Sequence, residues 1–200
     1  MCAEKITTPK QNIFYHAQDW QALEVKGKDA QDFLHRLTSA DFRNPKGVIT
    51  GTLLQPNGKM ILFFRALVLS QDYYLLMIPP GIENAGCDFF ERLHFRENLT
   101  ITPQSTQWFY LRVLTNQPLE PQDDLFIFNE ASLNKNFWHP EQSYAFNFGI
   151  IGASTKLQEV IQKLTDYKMI DSIESLRILA GEPIYPNEMG PLTIPLEADL

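Results

Sequence analysis

Arg177 is the residue in this chain whose setting most constrains its chemistry. It lies beside Leu176, at the margin of an apolar helical face formed by Ile173, Leu176 and Ala180, within the closing stretch DSIESLRILAGEPIYPNEMGPLTIPLEADL. A guanidinium is costly to bury alone, so Arg177 needs a carboxylate or a carbonyl beside it. Two readings follow from the residues. Arg177 is either a core-edge arginine held by a neighbouring carboxylate, or a fork offered to an acceptor on a bound molecule. The other reactive residue types form no constellation. His16, His35, His94 and His139 are scattered, with none of the two-histidine helical spacing of a metal site. Cys2 and Cys87 are distant in sequence and read as free thiols of a reducing compartment, the alternative being a disulfide. Cys87 falls on the apolar side of a helix near Phe90, the setting of a buried, inert thiol. There is no nucleophile elbow, phosphate-cradling loop or dinucleotide fingerprint. No residue is assigned a catalytic or metal-binding role.

The elements that must position Arg177 follow from periodicity and breakers. In the closing stretch Asp171 and Glu174 have the spacing of a capping box, and Gly181 with Pro183 ends the helix. Earlier, Trp20 to Lys26 reads as a strand ending at Gly27, and Asp29 caps a helix with Ala30, Phe33, Leu34 and Leu37 on one stripe. Val48 to Gln55 and Lys59 to Leu69 are strands joined through Pro56-Asn57-Gly58, where Asn-Gly is a strong hairpin signal because both residues tolerate positive φ. Tyr73 to Ile78 extends this to an antiparallel meander. Ile82 to Phe95 reads as an amphipathic helix. Strands are expected at Leu99–Thr102, Gln107–Leu114, Leu125–Phe128 and Ser143–Ile151, and Ser154 caps a last amphipathic helix. Tyr73 to Phe95 and Ser143 to Tyr167 echo each other as strand, break and helix. The expectation is an α+β domain over 13–200, built from two related halves, roughly 13–103 and 104–200, after a flexible segment 1–12.

Specific residues of this sequence resemble the aminomethyltransferase superfamily, which contains the glycine-cleavage T-protein and the YgfZ-like folate-binding proteins. In the closing segment they are Leu176, Arg177, Gly181, Pro183, Ile184, Tyr185, Pro195, Glu197, Ala198 and Leu200. Near the start they are Gly27, Asp29, Ala30, Phe33, Leu34 and Asp41, and in the hairpin Asn57, Gly58 and Lys59. The matching pieces run from about Trp20 to Leu200, with no motif between Gln104 and Tyr144. The resemblance implies the superfamily's folate-binding domain, with tetrahydrofolate or a one-carbon derivative as ligand and Trp20, Lys59, Ile173 and Arg177 as its contacts. A reduced folate offers a flat pterin, an aminobenzoyl ring and an anionic tail, which suit a tryptophan face and a cationic donor.

Two departures refine the expectation. The transferases of the superfamily carry an Asp-Asp pair on the second hairpin strand, one carboxylate serving as acid–base; this sequence has Leu62 and Phe63 there. Neither moves a proton, so the reading leans away from an enzyme. The sequence Asp19-Trp20 followed by a strand and Gly27 is more like the YgfZ-like branch, which also lacks the pair. That branch continues past the closing segment into a Lys-Gly-Cys-Tyr motif and a small β-barrel, neither of which this sequence contains. The resemblance therefore implies a tetrahydrofolate-binding accessory protein of iron–sulfur cluster assembly or maintenance, acting indirectly on tRNA modification, with iron–sulfur client or assembly proteins as partners. The alternatives are a folate-dependent aminomethyltransferase or demethylase, and an interaction domain whose pocket has lost its ligand.

Composition bounds these readings. The 200 residues are 44% hydrophobic, 20% charged and 12% aromatic, an ordinary globular balance. A formal charge of −7 with no basic run argues against direct nucleic-acid binding. No apolar run reaches membrane-spanning or signal-peptide length, so the expected location is the cytoplasm.

Overall fold

A computed structural model describes residues 11–18, 20–80, 83–104, 107–129, 144, 146–179, 188–189 and 192–194. In chain order the elements are β1 (Ile13–His16), β2 (Gln21–Lys26), α1 (Ala30–Leu37), β3 (Val48–Leu54), β4 (Met60–Ser70), β5 (Tyr73–Ile78), α2 (Glu83–Leu93), β6 (Thr100–Pro103), β7 (Trp108–Thr115), β8 (Leu125–Asn129), β9 (Phe146–Ala153), α3 (Leu157–Lys163), β10 (Lys168–Ile170) and α4 (Glu174–Leu179). They form two five-stranded sheets, ordered β3-β4-β5-β2-β6 and β10-β1-β7-β9-β8. The fold is α+β, and no barrel occurs among the described residues.

Alternation along the strands builds the layers. On β4, Phe64 and Ala66 face a core shared with Phe33 and Leu34 of α1 and Phe90 of α2. Leu67 turns the other way, into a cluster with Ala22, Leu75 and Met77 of its own sheet and Tyr110 and Ile151 of the other. On β7, Phe109, Leu111 and Val113 face Val160 of α3 and the following Leu164. Four layers result: α1 and α2, the first sheet, the second sheet, and α3. The β5–α2 and β9–α3 units thus lie on opposite outer faces. β1, first in the chain, joins the sheet of the late strands, antiparallel to β7 and parallel to β10.

Several local expectations are corrected. Strands β1 and β10 carried no usable signal, being only four and three residues long. Trp20 precedes β2 rather than belonging to it. Asp29 makes no capping bond to α1; its Oδ2 accepts from the Asn98 backbone N–H at 2.7 Å and ties the helix start to the chain just before β6. Ser154 opens a short 3-10 turn, and α3 begins at Leu157 without a side-chain cap. The Asp171–Glu174 capping box is absent: the Glu174 N–H donates to Ser172 Oγ at 3.1 Å, and the Glu174 carboxylate turns to Arg177. The β3–β4 connection spans residues 55–59 and is closed by the Gln55 N–H donating to the Lys59 carbonyl at 2.8 Å. Gly58 N–H donates to Gln55 C=O at 2.9 Å, and Gly58 takes positive φ, +81°. Ala180, Gly181, Pro183, Ile184, Tyr185, Pro195, Glu197, Ala198 and Leu200 of the closing segment, together with Ile82, Ser143 and residues 1–10, lie outside the described residues.

Candidate functional site

The side chains singled out in the sequence occupy three settings. Arg177 is 2% exposed and wholly engaged. Its Nε donates to Glu174 Oε2 at 2.6 Å and its Nη2 to Glu174 Oε1, while Nη1 and Nη2 donate to Glu188 Oε2 and Oε1 at 2.9 and 3.1 Å. Burial pulls the guanidinium pKa down, but the two carboxylates outweigh it and the net shift is upward. Both carboxylates are half-exposed, so the assembly is a buried cation presenting two anions outward. Ile173, one turn before, is buried with Ile13 and Leu114 at an end of the second sheet.

Lys59 stands at the β3–β4 hairpin, its backbone N–H donating to Asn57 Oδ1 at 3.1 Å. Beside the hairpin base, Gln55 and Ile61 with Asp88, Phe89, Glu91 and Arg92 of α2 line a groove of about 890 Å³. It opens widely to solvent, with Arg92 lying 5.4 Å from the Phe89 ring centre. Cys87, on the same helix, is half-buried, and burial followed by the nearby Glu91 and Asp88 raises its thiol pKa, which makes it a poor nucleophile.

Trp20 lies where the two sheets meet. Its ring centre is 4.8 Å from that of Tyr110 on β7, tilted by 59°. Arg65 of β4 lies 4.9 Å from the Trp20 ring centre, 5.3 Å from Phe63 and 5.5 Å from Tyr110. Tyr110 in turn stacks on Phe128 of β8 at 6.5 Å. At 7% exposure, Arg65 is a buried cation in an aromatic clamp contributed by both sheets. Arg65 and Tyr110 were not anticipated. The available signal was a lone charge at the centre of the apolar run ILFFRALVL, at the period-2 spacing that puts Phe63, Arg65 and Leu67 on one face. A third buried arginine, Arg112, donates from Nε to Asn147 Oδ1 at 3.0 Å. That bond orients the amide and leaves Asn147 Nδ2 buried without a hydrogen-bond partner.

Leu62 and Phe63 are buried, Leu62 toward α2, where an added Cβ on Gly86 would meet it at 2.9 Å, and Phe63 against Arg65. These two positions hold no group able to transfer a proton. Among the described residues, no cluster of three metal-ligating side chains occurs and no helix is long and apolar enough to cross a membrane.

No protein-family model matches the chain. Among curated proteins it is similar to an aminomethyltransferase of Caldanaerobacter subterraneus subsp. tengcongensis, 26% identical over 203 aligned positions that cover 88% of this chain and 54% of that protein. Among solved structures it is similar to the glycine cleavage system aminomethyltransferase T of Bartonella henselae, with a TM-score of 0.70 and 16% identity, covering 95% of this chain and 56% of the other. It is also similar to the heterotetrameric sarcosine oxidase of Corynebacterium sp. U-96, with a TM-score of 0.50 and 10% identity, covering 86% and 87%. Identities this low establish a shared fold and leave activity open. The chain has the α+β fold of aminomethyltransferase T, and it spans about half the length of the curated relative it matches.

Proposed function

We propose that residues 13–200 form a tetrahydrofolate-binding domain of the aminomethyltransferase superfamily, acting as a YgfZ-like accessory protein rather than as a transferase. The observation that carries the reading is the pair Leu62 and Phe63, buried and apolar at the two positions where the superfamily resemblance puts the acid–base carboxylates. A binding function without proton transfer fits a chain that keeps the fold and lacks those groups.

The residues fit a reduced folate in kind. Trp20, half-buried, offers a flat apolar wall for the pterin or the aminobenzoyl ring, and Lys59 a cation for the anionic tail. Arg177 acts through the carboxylates it holds. Glu174 and Glu188 present acceptors to the amino and ring N–H groups of a pterin, and the guanidinium keeps them in place. With this goes a cytoplasmic location and a role in iron–sulfur cluster assembly or maintenance, with client or assembly proteins as partners. A second reading, a folate-dependent aminomethyltransferase or demethylase, is favoured by the 26% identity to a named aminomethyltransferase.

Calorimetric titration with tetrahydrofolate under reducing conditions tests both. Saturable binding is expected for the wild type, weakened about tenfold or more by Trp20→Ala and by Arg177→Ala with circular dichroism unchanged. An absence of heat at high ligand concentration removes the folate reading and leaves an interaction domain. Transfer of a one-carbon unit to tetrahydrofolate by the purified chain would favour the enzyme.

A further inference from the structure

Trp20 is the least anchored member of the aromatic clamp. It lies outside every strand, and its backbone N–H makes one long bond, to the Ala17 carbonyl at 3.4 Å. Its neighbours are fixed independently. Arg65 sits within β4, paired on one side with Thr50 of β3 and on the other with Met77 of β5. Tyr110 is held in β7 by the β9 ladder and stacked on Phe128. The orientation of the indole is therefore set by side-chain contacts, to Arg65 at 4.9 Å and Tyr110 at 4.8 Å, rather than by its backbone. A guanidinium suits this task because its planar, weakly hydrated group lies flat on a ring while its N–H groups point outward in the plane.

We propose that Arg65 is the positioning residue for ligand binding by this domain: lodged between the sheets, it fixes the plane of the half-buried Trp20 ring against which a flat heteroaromatic ligand of the reduced-folate class stacks. The proposal rests on the folate reading. It adds that the binding wall is preorganised by a buried cation on β4, two strands from β2 in the same sheet, and that Phe63 takes part as a further wall around that cation.

The test has two arms. In the first, the three tryptophans are replaced biosynthetically by 5-fluorotryptophan, and the Trp20 resonance is identified by its loss in Trp20→Phe. Without ligand, Arg65→Met is expected to shift or broaden the Trp20 resonance selectively. Arg65→Lys should do nearly the same, because an ammonium keeps the charge and loses the planar stack; it also covers the case in which the methionine variant fails to fold. In the second arm, both variants are titrated with 5-formyltetrahydrofolate, a stable reduced folate. Each is expected to bind on the order of tenfold more weakly than the wild type. The loss should be non-additive with Trp20→Ala, the double variant binding no worse than Trp20→Ala alone. A Trp20 resonance unmoved by both substitutions overturns the proposal, as does wild-type affinity in a variant whose resonance has moved. A wild type that does not bind overturns the folate reading itself, a result distinct from either.

Discussion

A guanidinium at 2% exposure persists in a folded chain only where acceptors surround it, and around Arg177 two carboxylates do so from different parts of the sequence. Glu174, three residues earlier on the same helix, is a local partner; Glu188 lies beyond the helix and reaches back. Replacing Glu188 with Ala removes one acceptor of Nη1 and one of Nη2 while the cation stays buried, so stability is expected to fall by about 1–3 kcal/mol in urea denaturation. An unchanged midpoint would mean that the acceptors left to Arg177 suffice. The sequence made the need for a partner legible, because burial of a charge is costly whatever the fold. It did not reveal that the partners would take Nε, Nη1 and Nη2 together, which makes Arg177 the holder of two half-exposed carboxylates rather than an open fork. Arg65 was hidden for a related reason. Its aromatic partners Trp20 and Tyr110 are 45 residues away in each direction, and no local pattern connects them.

At the scale of elements, hydrophobic periodicity located α1, the β3–β4–β5 meander and the cores of β7, β8 and β9 because each is long enough to display its own repeat. The helix caps were misjudged. Asp29, Ser154 and Asp171 are all residue types with good capping potential, yet none caps: Asp29 bonds Asn98, Ser154 opens a 3-10 turn, and at α4 the neighbouring Ser172 accepts the Glu174 N–H instead. The glycine ending β2 is a clearer case of a local residue obeying a distant demand. Gly27 has φ +148°, and a Cβ on it would sit 2.2 Å from the Asn98 carbonyl oxygen and 2.4 Å from Leu99 Cα. Since these are backbone atoms, they cannot swing aside. Gly27→Ala is expected to destabilise the domain by about 3 kcal/mol or more, read as a lowered thermal midpoint. A midpoint within about a degree of wild type would show that the β2–β6 approach relaxes freely.

Across the whole molecule, β1 crosses from the start of the chain into the late sheet and fastens β10 to β7, so perturbing it acts on both ends of the sequence. His16, its last residue, adjoins a cavity of about 170 Å³ with Tyr15, Gln18, Met169, Ile170 and Asp171, and burial lowers its imidazole pKa below the ordinary 6.5. A depressed histidine leaves the folded state with fewer bound protons than the unfolded state. The stability this affords is complete above pH 6.5 and declines as pH falls through 6.5 toward the folded value. His16→Gln is expected to flatten the acid side of the stability–pH profile; identical slopes would place the acid sensitivity elsewhere. The sequence by itself determined the α+β class, the apolar faces of the longer elements, the need of Arg177 for a partner, and the absence of a proton-transferring group at Leu62 and Phe63. Each of these depends on side-chain type or on a repeat contained within one element. The tertiary structure alone decided that two sheets stack face to face, that β1 belongs to the second, and that Arg65 meets Trp20 and Tyr110 in the seam. Such contacts join residues whose proximity depends on how separately folded sheets bury their remaining apolar faces, a choice that no single stretch of chain encodes.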